Sequence, residues 1–194
     1  MKYNTQNISE YAGGLRAGDR ILLSGTVYTA RDAAHKRIRG LIESGEPLPF
    51  ELHGVVIYYA GPTAAVNGLP IGSCGPTTSS RMDVFTPLLL SHGLAAMVGK
   101  GGRSPAVAEA IVRYGGVYLC ATGGCGALAC RCITACEVVA FPELGCESVK
   151  RLTFADFPLV VGIDSQGGSL FAQCNFDLPA VLMRAGFLCG AGSG

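Results

Sequence analysis

Six short apolar runs, each cut off by glycine, proline or a polar loop, constrain the fold of this chain more than any other feature. Residues 20–28, 55–59, 94–98, 117–121, 137–141 and 158–163 have the length and composition of strands. After the first of them, Ala30, Ala33, Ala34, Ile38, Leu41 and Ile42 recur at helical spacing until Gly45 and Pro47 end the pattern. Thr86-Pro87 and Ser104-Pro105 each supply an N-cap and first-turn pair for a further helix. Residues 124–132 read as a small-residue helix between two strands, which makes a βαβ unit. The chain then turns strand-rich over residues 151–172, with a hairpin turn at 164–168. Alternation of this kind predicts a mixed α/β domain with layered sheets and flanking helices.

A chain of 194 residues is long enough for one domain with a full core, and no repeat or linker divides it, so residues 1–194 are expected to form a single unit. Fifteen Lys and Arg against 14 Asp and Glu leave a formal charge of +1. That balance provides no surplus to drive binding to nucleic acid or to an anionic membrane, so any anion site must be local. The first 18 residues are polar, with neither a signal pattern nor an apolar run that could span a bilayer, and the expected location is cytoplasmic. Nine cysteines, scattered through apolar segments, read as buried thiols in a reducing compartment.

Three strand-to-helix junctions concentrate cationic and hydroxyl residues. They are Thr29-Ala30-Arg31-Asp32, Gly75-Pro76-Thr77-Thr78-Ser79-Ser80-Arg81 and Gly99-Lys100-Gly101-Gly102-Arg103-Ser104. Each has the parts of an anion site: unpaired N–H groups at a helix start, glycines that admit a ligand, and a full positive charge. A planar carboxylate suits Arg31 and Arg81, because a guanidinium donates two parallel hydrogen bonds to it. Any one junction could be an ordinary helix cap, but three in a chain with only 15% charged residues favour the anion reading.

Helical spacing also brings Arg31, Asp32 and His35 toward one face, as a supporting group or as a plain surface contact. His53 and His92 read as cap or surface residues. Cys125, Cys130, Cys132 and Cys136 lack the paired spacing that brings two thiolates onto one metal, so they read as small packing residues and no metal is assigned to this chain. The main rival signal is Gly124-Cys125-Gly126-Ala127-Leu128-Ala129, which matches a G-x-G-x-x-A dinucleotide fingerprint, with Glu143 as a candidate ribose acid. Glu143 follows the glycines sooner than the usual interval of about 20 residues, and a close-packed turn accounts for Gly124 and Gly126 equally well.

Taken in order, the segments 23–37, Tyr59-Ala60-Gly61-Pro62, 75–83, Val98-Gly99-Lys100-Gly101, Gly123-Gly124, Glu137-Val138-Val139-Ala140, Glu143-Leu144-Gly145 and Asp156-Phe157-Pro158 resemble the beta subunit, or C-terminal domain, of class I fumarases and L-tartrate dehydratases. The resemblance implies a swivelling β/β/α domain that closes over an active site shared with an alpha subunit. In that partner three cysteines hold a four-iron four-sulfur cluster, and the two subunits form a hetero-oligomer. It further implies that Arg31, Thr77, Thr78, Arg81 and Lys100 meet a dicarboxylate, with Thr77, Arg81 and Lys100 taking part in catalysis and Asp32 and His35 in support. The implied reaction is the reversible hydration of fumarate to L-malate, with L-tartrate dehydration as the alternative. This sequence departs from the family pattern where Cys125, Cys130 and Cys132 replace the usual alanines.

Overall fold

The computed structural model describes residues 1–65, 68–122, 124 and 126–171. Gly123, Cys125 and everything beyond residue 171 lie outside the described residues. The strands are β1 (Lys2–Asn4), β2 (Arg20–Thr29), β3 (Val56–Tyr58), β4 (Ala96–Gly99), β5 (Val117–Cys120), β6 (Ile133–Ala140) and β7 (Val149–Ile163). All seven belong to one mixed sheet, in which β1 to β5 run parallel and β7 runs antiparallel to β2, β5 and β6. The helices are α1 (Ile8–Ala12), α2 (Asp32–Ser44), α3 (Thr86–Ser91), α4 (Pro105–Tyr114) and α5 (Gly126–Arg131). None is long and apolar enough to cross a membrane.

Pairing runs in a closed circuit from β2 through β3, β4, β5 and β7 back to β2. The sequence reading expects layered sheets; the described strands instead form one curved sheet with an apolar cluster on each face, flanked by helices. Strand alternation decides the division. Val56, Tyr58, Ala96, Val98, Val117 and Leu119 point inward, where they meet Ile21, Leu23 and Val27 of β2 and Leu152, Phe154, Phe157 and Val161 of β7. Ile57, Met97 and Tyr118 point outward onto Ala34 and Ile38 of α2, Leu89 and Leu90 of α3, and Val107 and Ile111 of α4. Each large apolar side chain so enclosed contributes roughly 1.5–3 kcal/mol. Because the parallel strands are covered on both faces, they read in sequence as continuous apolar runs.

Several local expectations shift. The helix after β2 does end on Gly45, which takes the left-handed conformation (φ 71°) that glycine adopts most readily. Thr86, expected to cap α3, is instead its first residue, because a 3-10 turn at Ser79–Met82 already leads into the helix and Phe85 holds the cap position. The Thr86 hydroxyl donates to the Met82 carbonyl at 2.9 Å. The βαβ unit also differs from expectation: β5 and β6 do not pair with each other, since both run antiparallel to the 15-residue β7. After Ile163 the chain turns as expected, with the Asp164 carboxylate accepting the Ala17, Gln166 and Gly168 N–H groups at 2.8–2.9 Å.

Candidate functional site

In a parallel sheet, loops leaving the C-terminal ends of neighbouring strands emerge on one edge, where ligands bind. Here β2, β3 and β4 deliver three such loops. Arg31 occupies the N-cap of α2 in extended conformation and Asp32 is the first helical residue. The loop after β3 returns so that the Thr77 N–H donates to the Tyr59 carbonyl at 2.7 Å. It then pairs Thr78 with Lys100 at the end of β4. The buried Ser79 fixes that register, its N–H donating to the Lys100 carbonyl and its Oγ accepting the Lys100 N–H, both at 3.0 Å.

Four of the residues singled out in the sequence are in direct contact. Asp32 Oδ2 lies 3.3 Å from Arg31 Nε and 3.1 Å from Arg81 Nη2. Arg81 Nη2 also donates to Thr77 Oγ1. Lys100 joins this group through backbone only; its Nζ has no hydrogen-bond or ion-pair partner among the described residues. Thr78 is exposed beside it. Arg31 and Arg81 are met by Asp32 and by Glu147, which pairs with Arg31 at 3.1 Å, so the Lys100 ammonium is the charge at these three loops that no carboxylate among the described residues balances, which suits an anion.

His35 lies beneath Arg31 and is wholly buried. Its Nδ1 is 3.1 Å from the Arg31 carbonyl, which can only accept, so Nδ1 carries the proton. Nε2, enclosed near the Tyr59 and Phe85 rings, has no partner among the described residues. Burial drives the His35 pKa from 6.5 down to about 4, against the favourable bond to Arg31. A depressed folded-state pKa removes stability as pH falls, because below 6.5 the unfolded chain takes up a proton first. Urea denaturation between pH 7 and pH 4 is expected to show a loss of about 3 kcal/mol from this group. In His35→Leu that component is absent, whatever the stability at pH 7; equal slopes in both proteins would contradict it.

Two residues of this region have no role in the sequence reading, Glu147 being absent from it and Gly61 standing there only within the segment Tyr59-Ala60-Gly61-Pro62. Glu147, from the 3-10 turn Pro142–Glu147 between β6 and β7, sits 3.1 Å from Arg31 Nη2. Gly61 lies against the same guanidinium, and a Cβ there would stand 2.8 Å from Nη1. Conversely, Arg103 belonged to the third junction in sequence but turns inward. Its side chain is fully buried, pairing with Asp83 at 2.7 Å, so it does not join the anion site. His53 and His92 lie on the surface as expected.

The rival glycine motif has a packing explanation. A Cβ on Gly126 would stand 2.2 Å from Ser73 Oγ, and the Gly126 carbonyl accepts the Cys74 N–H at 3.2 Å, so α5 docks closely on the loop before Thr77. Glu143 pairs with Arg37 of α2 at 3.1 Å. The expected burial of the thiols holds for part of the described set, and Cys146 is an exception that lies exposed. Cys74 and Cys130 are buried, with Cys132 and Cys136 packed against the inner cluster. Burial, then the neighbouring Cys136, pushes the Cys74 thiol up to about 12, and burial raises Cys136 as well. Among the described residues no group of three or more His, Cys, Asp or Glu side chains is arranged to hold a metal ion.

The model of the fumarase C-terminus family matches residues 1–174. The chain belongs to this family. Among its relatives, "Fumarate hydratase 1, mitochondrial" of Leishmania major is 44% identical over 156 residues, covering 79% of this chain and 28% of that protein. "Fumarate hydratase class I, anaerobic" of Escherichia coli is 41% identical over 175 residues, covering 89% of this chain and 31% of that protein. "Putative L(+)-tartrate dehydratase subunit beta" of Methanocaldococcus jannaschii is 42% identical over 167 residues, covering 83% of this chain and 86% of that protein. The chain thus spans about three-tenths of the length of these fumarate hydratases, but most of the beta subunit. Within the fumarase C-terminus family frame, the loops after β2, β3 and β4 are where this chain brings its cations together.

Proposed function

We propose that this chain is the beta portion of a two-subunit hydro-lyase, most consistent with reversible hydration of fumarate to L-malate. Dehydration of L-tartrate is the second reading, and the near full-length match to a tartrate dehydratase beta subunit favours keeping it. The observation that carries the proposal is the contact group of Arg31, Asp32, Thr77 and Arg81, with Lys100 beside it, at one edge of the sheet.

In this reading Arg31, Arg81 and Lys100 bind and orient substrate carboxylate, together with Thr77 and Thr78. Positive charge fixed at that place also stabilises the carboxylate-side charge that grows as water adds across the double bond. Thr77 handles a proton at the adjacent carbon, while Asp32 and His35 hold Arg31. The domain is of the swivelling β/β/α type, a single unit acting in the cytoplasm, and it closes on an alpha subunit. That partner brings the four-iron four-sulfur cluster, which supplies Lewis acidity toward the hydroxyl that leaves or arrives.

Co-production with a cluster-bearing alpha subunit tests the assignment. The isolated chain is expected to be colourless and inactive, and the brown, oxygen-sensitive complex to turn over fumarate and L-malate, assayed alongside tartrate and mesaconate. Turnover by this chain alone, or a complex inert toward every one of these diacids, would refute it.

A further inference from the structure

We propose that Glu147 is the positioning residue that fixes the Arg31 guanidinium for carboxylate recognition, an inference that rests on the dicarboxylate reading above. Its two oxygens do different jobs at the start of α2. Oε1 lies 3.1 Å from Arg31 Nη2, and Oε2 accepts the Ala33 N–H at 2.8 Å. One oxygen ties down the side chain and the other ties down the backbone that carries it, so the guanidinium and the helix start are held as one body.

Asp32 cannot do this alone. Its Oδ2 is divided between Arg31 Nε at 3.3 Å and Arg81 Nη2 at 3.1 Å. With Glu147 on Nη2, Asp32 can serve Arg81 without releasing Arg31. The Nη1 corner is left out of these ion pairs and faces Gly61, where a side chain would collide with it. Arg31 and Glu147 expose only 26% and 22% of their side chains, so solvent screens this pair less than an open surface pair.

How the chain delivers Glu147 is an independent observation. Directly after β6, Phe141 takes a left-handed conformation (φ 54°, ψ 52°), unusual for a bulky aromatic residue, and Gly145 (φ 59°) breaks the 3-10 turn that follows. Arg37 of α2 lies over the Phe141 ring at 4.9 Å and pairs with Glu143. The β6–β7 turn is thus clamped to α2 at two points, and the second clamp ends in the site.

Two readouts on the full chain carrying Glu147→Ala or Glu147→Gln test the role. In the chain alone, phenylglyoxal labelling followed by mass spectrometry reads the freedom of each guanidinium. Arg31 is expected to label several-fold faster in Glu147→Ala, while Arg39, paired with Glu43 on the outer side of α2, keeps its rate. In the assembled enzyme, Glu147→Ala raises KM for the dicarboxylate by about tenfold with a smaller change in kcat, as expected when preorganised binding is lost. Glu147→Gln, which retains an acceptor for Ala33 but no charge, lies between.

An Arg31 labelling rate that does not change overturns the proposal. So does an unaltered KM, or a loss confined to melting temperature that Glu147→Gln fully restores, which would make Glu147 a helix cap only. If the wild-type assembly turns over no diacid, the functional reading fails, and labelling still decides for or against the hold on Arg31.

Discussion

Arg81→Ala is expected to lower kcat/KM of the proposed hydro-lyase assembly by about 100-fold, or about 2.7 kcal/mol. Charge-assisted hydrogen bonds contribute roughly 1.5–3 kcal/mol each, and a guanidinium that meets a carboxylate with two N–H groups belongs at the upper end. Arg81 also donates to Thr77 Oγ1, and a threonine hydroxyl is a poor base unless a cation favours its ionised form. The loss should therefore fall on kcat as well as KM. Lys100→Ala removes a cation whose Nζ has no hydrogen-bond or ion-pair partner among the described residues, so its effect should fall mainly on KM. Arg81→Lys restores charge without the planar fork and should recover only part of the rate. Steady-state kinetics decides, and an Arg81→Ala enzyme within about threefold of wild type takes Arg81 out of the site.

Much of the fold could be read from local pattern. The strand at 20–28 and the helix ending at Gly45 were visible because one face of each is apolar at the right period, and the terminator is a residue with a left-handed preference. The full length of β7 was not visible. Pro158 reads as a strand start, yet it sits well inside β7, opposite Leu22. Asp156 before it is left-handed (φ 49°), and a register shift between Leu23 and Gly25 accommodates it, with the Asp156 N–H donating to Ser24 Oγ at 2.9 Å. A bulge of this kind depends on a strand more than 130 residues away, so no local signal announces it.

The site divides the same way. Arg31, Thr77, Arg81 and Lys100 stand at strand-to-helix junctions, and parallel topology alone brings such junctions to one edge. Glu147 reaches Ala33 across a separation of 114 residues, and only the β6–β7 turn fixes that meeting. The third junction shows the limit most directly. Lys100 and Arg103 are equivalent cations in sequence, but one is left without a partner among the described residues while the other is drawn inward by Asp83 and two tyrosines.

That inward arginine supports the site from below, and its removal is expected to be the most destabilising single change argued here. Arg103 Nε pairs with Asp83 at 2.7 Å, Nη2 donates to Thr86 Oγ1 at 2.7 Å, and the guanidinium lies 5.3 Å from the Tyr59 ring and 4.9 Å from that of Tyr118. With its side chain fully buried and that of Asp83 only 12% exposed, Arg103→Met strands a carboxylate in the interior. Breaking a buried pair from one side costs about 3–5 kcal/mol, which lowers the melting temperature of a chain this size by on the order of 10 °C. Asp83 still accepts the Ser104 N–H at 2.6 Å, which moderates the loss without replacing the cation. Adding Asp83→Asn to Arg103→Met removes the stranded charge, so the double variant should be more stable than Arg103→Met itself. Urea denaturation of the single and double variants tests this, and a double variant less stable than Arg103→Met would show that the arginine acts by filling space over the two tyrosines rather than by neutralising Asp83.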